Sequence, residues 1–146
     1  MASIHASAVL VGARALLIRG PSGAGKSRLA LALLWQAHSG ALPFVRLVAD
    51  DRSLVEPHHG RLVVRPLPQN AGLIEVHGLG IRRLAYEPAA VVGRVVDLAA
   101  AESARLPEAA GLQVAVEGIT LPRLPVAAGA DPVPLILASL ASDLAG

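Results

Sequence analysis

The sequence contains no cysteine, which excludes disulfides and thiolate metal sites together. It holds three aromatic residues, Trp35, Phe44 and Tyr86, too few to build a base-stacking platform, and no dense basic stripe accompanies them. Nucleic acid is therefore not an expected partner, and a net charge of +2 supplies no electrostatic reason for one. No apolar run approaches the roughly 20 residues that span a bilayer, so no membrane segment is expected despite a hydrophobic content of 53%. The opening M-A-S-I-H-A-S lacks a basic region followed by an apolar signal core, which makes the cytoplasm the expected compartment. At 146 residues the chain fits one domain, large enough to bury roughly two-thirds of its unfolded surface without a staple.

Lysine is nearly absent too. Of 13 basic residues twelve are arginine, and the exception, Lys26, stands inside G-P-S-G-A-G-K-S, from Gly20 through Pro21, Ser22, Gly23, Ala24 and Gly25 to Ser27. That run matches the phosphate-binding loop G-x-x-x-x-G-K-[ST], between an apolar strand-like stretch and a helix-like one. A planar guanidinium demands bidentate geometry, whereas a compact ammonium reaches between β- and γ-phosphates as a point charge, which explains a lysine kept here. Gly20, Gly23 and Gly25 let successive N–H groups turn inward as an anion cradle at a helix N-terminus, and Ser27 offers a hydroxyl to Mg²⁺. A nucleotide triphosphate, with ATP and Mg²⁺ as the expected pair, is the ligand this loop implies.

The rest of the pattern alternates strands with helices. Ala8 to Ile18 reads as one or two strands turning near Gly12 to Arg14, and Leu29, Leu33, Leu34 and Ala37 recur at helical spacing before a Gly40 stop. Val45 to Ala49 reads as a buried strand, and Ser53–Val55 and Arg61–Val64 as a hairpin around E-P-H-H-G. Leu73–Val76 and Val91–Leu98 are further strands, Ala99 to Gly111 is helix or loop, and Gln113–Leu121 is an edge strand bounded by prolines. Asp131 caps a last helix with Pro132 near its start and Leu135, Leu137, Leu140 and Leu144 on its apolar side. The expected fold is α/β, a phosphate-loop domain with a mixed, twisted sheet.

A phosphate loop needs an acidic partner for Mg²⁺, and Asp50 and Asp51 end an apolar strand where open α/β sheets gather ligands. Adjacent side chains alternate, so one of the two is expected to face the metal and the other the acceptor. Glu75, a carboxylate inside the apolar run G-L-I-E-V-H-G-L-G-I, either faces solvent or faces the Mg²⁺ site. The remaining histidines show no metal-ligand spacing: His58 and His59 fall in a hairpin turn and His38 near a helix C-terminus.

In order and character, G-P-S-G-A-G-K-S, L-V-A-D-D-R and G-L-I-E-V-H-G-L-G-I resemble the catalytic domain of the HPr kinase/phosphorylase family, over a span from His5 to about Pro125. The family's amino-terminal regulatory domain has no counterpart, which resembles the short forms in Alphaproteobacteria. The resemblance implies a phosphoenolpyruvate-carboxykinase-like fold and a cytoplasmic, oligomeric enzyme that phosphorylates a serine of an HPr-like phosphocarrier protein. It implies that Gly20 to Ser27 bind the triphosphate, that Ser27 and Glu75 serve Mg²⁺, and that Asp51 is the base. In the reverse direction the same carboxyl would donate a proton as phosphate attacks the phosphoserine and pyrophosphate leaves. His5 matches the family's active-site histidine, and Arg105 aligns with its active-site arginine, a residue that would stabilise charge on the transferred phosphoryl group.

Two departures stand out. His77 occupies the place of an arginine in the family's E-V-R-G, and Pro125 to Ala130 lacks the basic residues of a counterpart tied to dephosphorylation. Kinase activity is therefore expected with reduced phosphorolysis. The rival readings are a small-metabolite kinase and a non-catalytic nucleotide-sensing module. A GTPase is disfavoured, because its guanine-reading N-K-x-D requires a second lysine.

Overall fold

The computed structural model describes residues 1–101 and 109–142. In chain order it forms β1 (Ala2–Ile4), β2 (Ala6–Val11), β3 (Arg14–Arg19), α1 (Lys26–His38), β4 (Val45–Ala49), β5 (Ser53–His58), β6 (Arg61–Pro66), β7 (Leu73–Val76), β8 (Gly80–Arg83), β9 (Ala90–Leu98), β10 (Gln113–Val116), β11 (Ile119–Val126) and α2 (Pro132–Ala141). The main sheet is mixed, with strand order β1-β5-β6-β9-β3-β2-β4, and β11 joins it beside β9 with β10 at its side. β3, β9 and β11 run parallel, and β4 shares their direction because both β3 and β4 are antiparallel to β2. The carboxyl ends of all four strands thus meet at one edge, where loops carry ligands in open α/β sheets.

β3 shows why its continuous apolar run works. Ala15 and Leu17 join one buried cluster, with Val55, Leu62, Val64 and Val95, while Leu16 and Ile18 join the other, with Leu29, Leu33 and Ile136 from the helices. Period-two alternation therefore buries both faces of the strand, as parallel neighbours covered on each side require. The core is built from Ala, Val, Leu and Ile. Trp35, Phe44 and Tyr86 all keep exposed surface. One close approach is covalent in its strictness: a Cβ on Gly93 would come within 2.7 Å of the Arg14 Cβ, so β9 passes β3 there only as glycine.

Several expectations needed adjustment. The first hairpin turns at Gly12 and Ala13, as anticipated, but a three-residue strand, β1, precedes it and pairs with β5. The second hairpin is longer than its pattern suggested. Glu56, Pro57 and His58 stay in the ladder, and only His59 and Gly60, at φ of 50° and 77°, make the turn. β7 pairs with β8, which the sequence did not signal, in a separate two-stranded sheet. Gln113–Leu121 is not one edge strand but a hairpin turning at Glu117 and Gly118, and β11 continues through Pro122 and Pro125. Pro122 faces Gln113, the first residue of β10, so beyond it that edge of β11 has no β10 ladder bond for proline to remove.

α1 ends as expected, with Gly40 at φ 82° following the Ser39 cap. In α2 the Asp131 carboxylate accepts the Val133 N–H at 3.1 Å, and the buried residue is Ile136. Leu135 and Leu140, expected on the packed side, are exposed instead. Leu144 and Arg105 lie outside the described residues. No helix among those described is long and apolar enough to cross a membrane.

Candidate active site

The loop between β3 and α1 presents an uncapped helix end. Gly25 takes a left-handed conformation at the N-cap, no side chain caps α1, and no acidic residue occupies its first turn. Its first N–H groups are therefore without the side-chain acceptors that usually satisfy them, and favour an anion. Lys26 is buried, and its ammonium donates to the Gly20 carbonyl at 2.9 Å and the Pro21 carbonyl at 3.2 Å. Two of its three N–H bonds thus brace the start of the loop, and the third remains for a phosphate oxygen.

At the end of β4 the two aspartates divide as alternation predicts. Asp50 is buried, and its carboxylate accepts the Ser27 hydroxyl at 2.7 Å, the Ser7 hydroxyl at 2.9 Å and the Glu75 N–H at 3.2 Å. One carboxylate therefore pins β2, α1 and β7 to the end of β4. Because the Ser27 proton is committed to Asp50, the lone pairs of its oxygen remain to face a cation. Ser7 also accepts the Asp51 N–H at 3.0 Å, so a single hydroxyl links the two aspartates. Sequence reasoning missed Ser7. Its only signal was a polar residue within an apolar strand.

Asp51 is exposed and sits at φ 65°, a left-handed conformation that aspartate tolerates better than most residues and that recurs at functional sites. His5 Nε2 lies 2.7 Å from its Oδ1. The histidine directly follows β1, and β1 is held by β5 through the pairing of Ile4 with Ser53, so a residue near the chain start is fixed beside the site. Glu75 is exposed rather than buried. It lines, with Lys26, Ser27, Asp51 and His77, an open cleft of about 670 Å³. The structure therefore brings together His5, Lys26, Ser27, Asp50, Asp51 and Glu75.

Among the described residues no group of three His, Asp or Glu could hold a metal ion unaided. That fits Mg²⁺ at a phosphate site, where one or two protein oxygens join phosphate oxygens and water. Beneath the cleft, Asp97 of β9 is clasped by Arg19, with Nε and Nη2 at 2.7 and 2.8 Å, and by Nε of Arg123. Burial pushes the Asp97 carboxyl up, but the two guanidiniums outweigh it and hold it below its ordinary value. This triad joins β3, β9 and β11 immediately before the phosphate loop begins.

Comparison with known proteins agrees with this layout. The family model for the HPr serine kinase C-terminal domain matches residues 1–86. The chain belongs to that family. The HPr kinase/phosphorylase of Clostridium beijerinckii is 38% identical over 78 residues, 53% of this chain and 24% of that protein. The HPr kinase/phosphorylase of Lactobacillus delbrueckii subsp. bulgaricus is 39% identical over 80 residues, 54% of this chain and 23% of that protein. The chain thus spans about a quarter of the length of these curated relatives. The solved Hpr(Ser) kinase/phosphatase from Coxiella burnetii superposes with a TM-score of 0.76 at 23% identity, covering 97% of this chain and 94% of that one. The fold of the HPr kinase C-terminal domain therefore continues beyond residue 86, through β9, β11 and α2.

Proposed function

We propose that the chain is an ATP- and Mg²⁺-dependent protein-serine kinase acting on an HPr-like phosphocarrier protein. The observation that carries this reading is the placement of Asp51, exposed and contacted by His5, in the same cleft as Lys26 and Ser27. A carboxylate there is free to accept the proton of an incoming seryl hydroxyl, while His5 holds Oδ1 and fixes the carboxylate's orientation. Lys26 and the loop N–H groups position the phosphates, and Asp50 orients the Ser27 hydroxyl from behind. Mg²⁺, when bound, supplies charge neutralisation across the phosphates, and Ser27 and Glu75 are the residues that would hold it. Most of the catalysis is positioning and electrostatics.

The names of the curated relatives support HPr as the acceptor class, and the family's habit of assembly supports a homo-oligomer. Reduced phosphorolysis is supported by the segment from Pro125 to Ala130, which carries no basic residue. The deciding experiment is incubation with Mg-ATP and HPr-type carrier proteins, followed by mapping of the modified residue. Phosphoserine on a carrier is expected. A chain that binds ATP and modifies none of them would overturn the kinase reading in favour of a nucleotide sensor, and turnover without any protein acceptor would favour a small-metabolite kinase.

A further inference from the structure

Two clefts flank the phosphate loop. Ser22, Gly23, Gly25 and Arg28 line both, but Lys26, Ser27, Asp51, Glu75 and His77 line only the one described above. A triphosphate whose terminal phosphate lies beside Asp51 must leave the loop on the other side. There a second open cleft, of about 630 Å³, lies between the loop, the end of β9 and the segment from Val126 to Val133. That volume falls in the ordinary range for small-ligand sites, roughly 300–1,000 Å³.

The walls of this second cleft are built. The Ala100 N–H donates to the Val126 carbonyl at 2.9 Å and ties the ends of β9 and β11, and the Ala130 N–H closes a turn on the Ala127 carbonyl at 3.1 Å. Their chemistry is uniform. Leu29, Ala32, Leu98, Val126 and the alanines at 127, 128 and 130 supply apolar surface, with no Asn, Gln, Thr or aromatic ring among the lining residues. The polar side chains there are committed or belong to the phosphates: Asp131 caps α2, Ser22 is part of the loop, and Arg28 reaches both clefts.

Resting on the triphosphate reading of the loop, we infer that the nucleoside occupies this alanine-lined cleft and that its base is held by apolar contact without being read. A site built to hydrogen-bond one base edge rejects an analogue lacking that edge by about 10⁴-fold, whereas apolar walls discriminate weakly. The chain therefore takes purine nucleoside triphosphates with little regard to adenine or guanine.

The test is equilibrium binding of Mg-ATP, Mg-GTP and Mg-tripolyphosphate to the full chain, by calorimetry and without any acceptor. ATP and GTP dissociation constants within about tenfold of each other are expected, and a larger preference overturns base indifference. Ala128→Trp on the exposed lip and Ala32→Trp on α1 are expected to weaken both nucleotides at least about tenfold while leaving tripolyphosphate within about twofold. Equal loss of nucleotides and tripolyphosphate, or loss of neither, overturns the location. Failure of the parent chain to bind tripolyphosphate sinks the triphosphate reading itself, an outcome distinct from base selection by a chain that binds it.

Discussion

His5 and Asp51 stand 46 positions apart in sequence and meet at 2.7 Å. β1 brings the histidine to the site and the left-handed turn after β4 presents the aspartate. Neither depends on the phosphate loop, so the pair divides the site into a part that handles phosphate and a part that handles the acceptor's proton.

Asp51→Asn keeps the size of the side chain and removes its basicity. Phosphorylation of a carrier serine is expected to fall by about 10²–10⁴-fold, the usual contribution of a general base. Nucleotide affinity, measured separately, is expected to stay within about twofold. Loss of nucleotide binding instead would assign Asp51 to the metal or phosphate site.

His5→Ala leaves Asp51 in place but releases its Oδ1. The expected result is a drop of about 10-fold to 100-fold in kcat with little change in KM for ATP, because a positioning contact is lost and no phosphate contact is. His5→Gln, able to keep one hydrogen bond, is expected to recover part of the loss. Equal rates for all three proteins would remove His5 from the reaction.

Lys26→Met removes an ammonium that both braces Gly20 and Pro21 and faces the phosphates. Turnover is expected to vanish, and affinity for Mg-tripolyphosphate to fall at least about tenfold. Unaltered tripolyphosphate binding by this variant would show that the loop does not hold phosphate through Lys26.

Asp97→Asn leaves two arginines without their carboxylate. A loss of about 2 kcal/mol is expected, less than the 3–5 of a fully buried pair because Arg19 stays about a third exposed. The sign with pH follows from the lowered carboxyl. Its stabilisation is present above the unfolded value of 3.8 and is lost as pH falls below that through the folded value. Urea midpoints of parent and variant are therefore expected to differ at pH 7 and to converge at strongly acid pH; a constant gap across that range would contradict the ion-pair account.

Local signals carried the sequence reading a long way. The loop, the strand ending in Asp50 and Asp51, and the cap at Asp131 are each written in a few consecutive residues, whose conformations are set by glycine, by apolar runs or by a side chain bonding its own backbone. Features made by distant partners were not legible. Asp97 meets Arg19 across 78 positions, and Ser7 meets Asp50 across 43, and nothing in the sequence near either one names its partner. β1 and β8 escaped because three or four residues cannot establish a period. β11 was cut short because proline usually marks a strand's end, and here tertiary pairing with β9 overrides that preference. Similarity to the family model stops at residue 86 while the fold does not, since the later strands keep only their apolar pattern.

The solitary lysine has a practical consequence for whoever handles this chain. Apart from the α-amino group of Met1, Lys26 is the single amine that an acylating reagent can modify, and it sits in the phosphate loop. Labelling at one peptide therefore becomes a footprint of occupancy, with the exposed chain terminus serving as its internal standard.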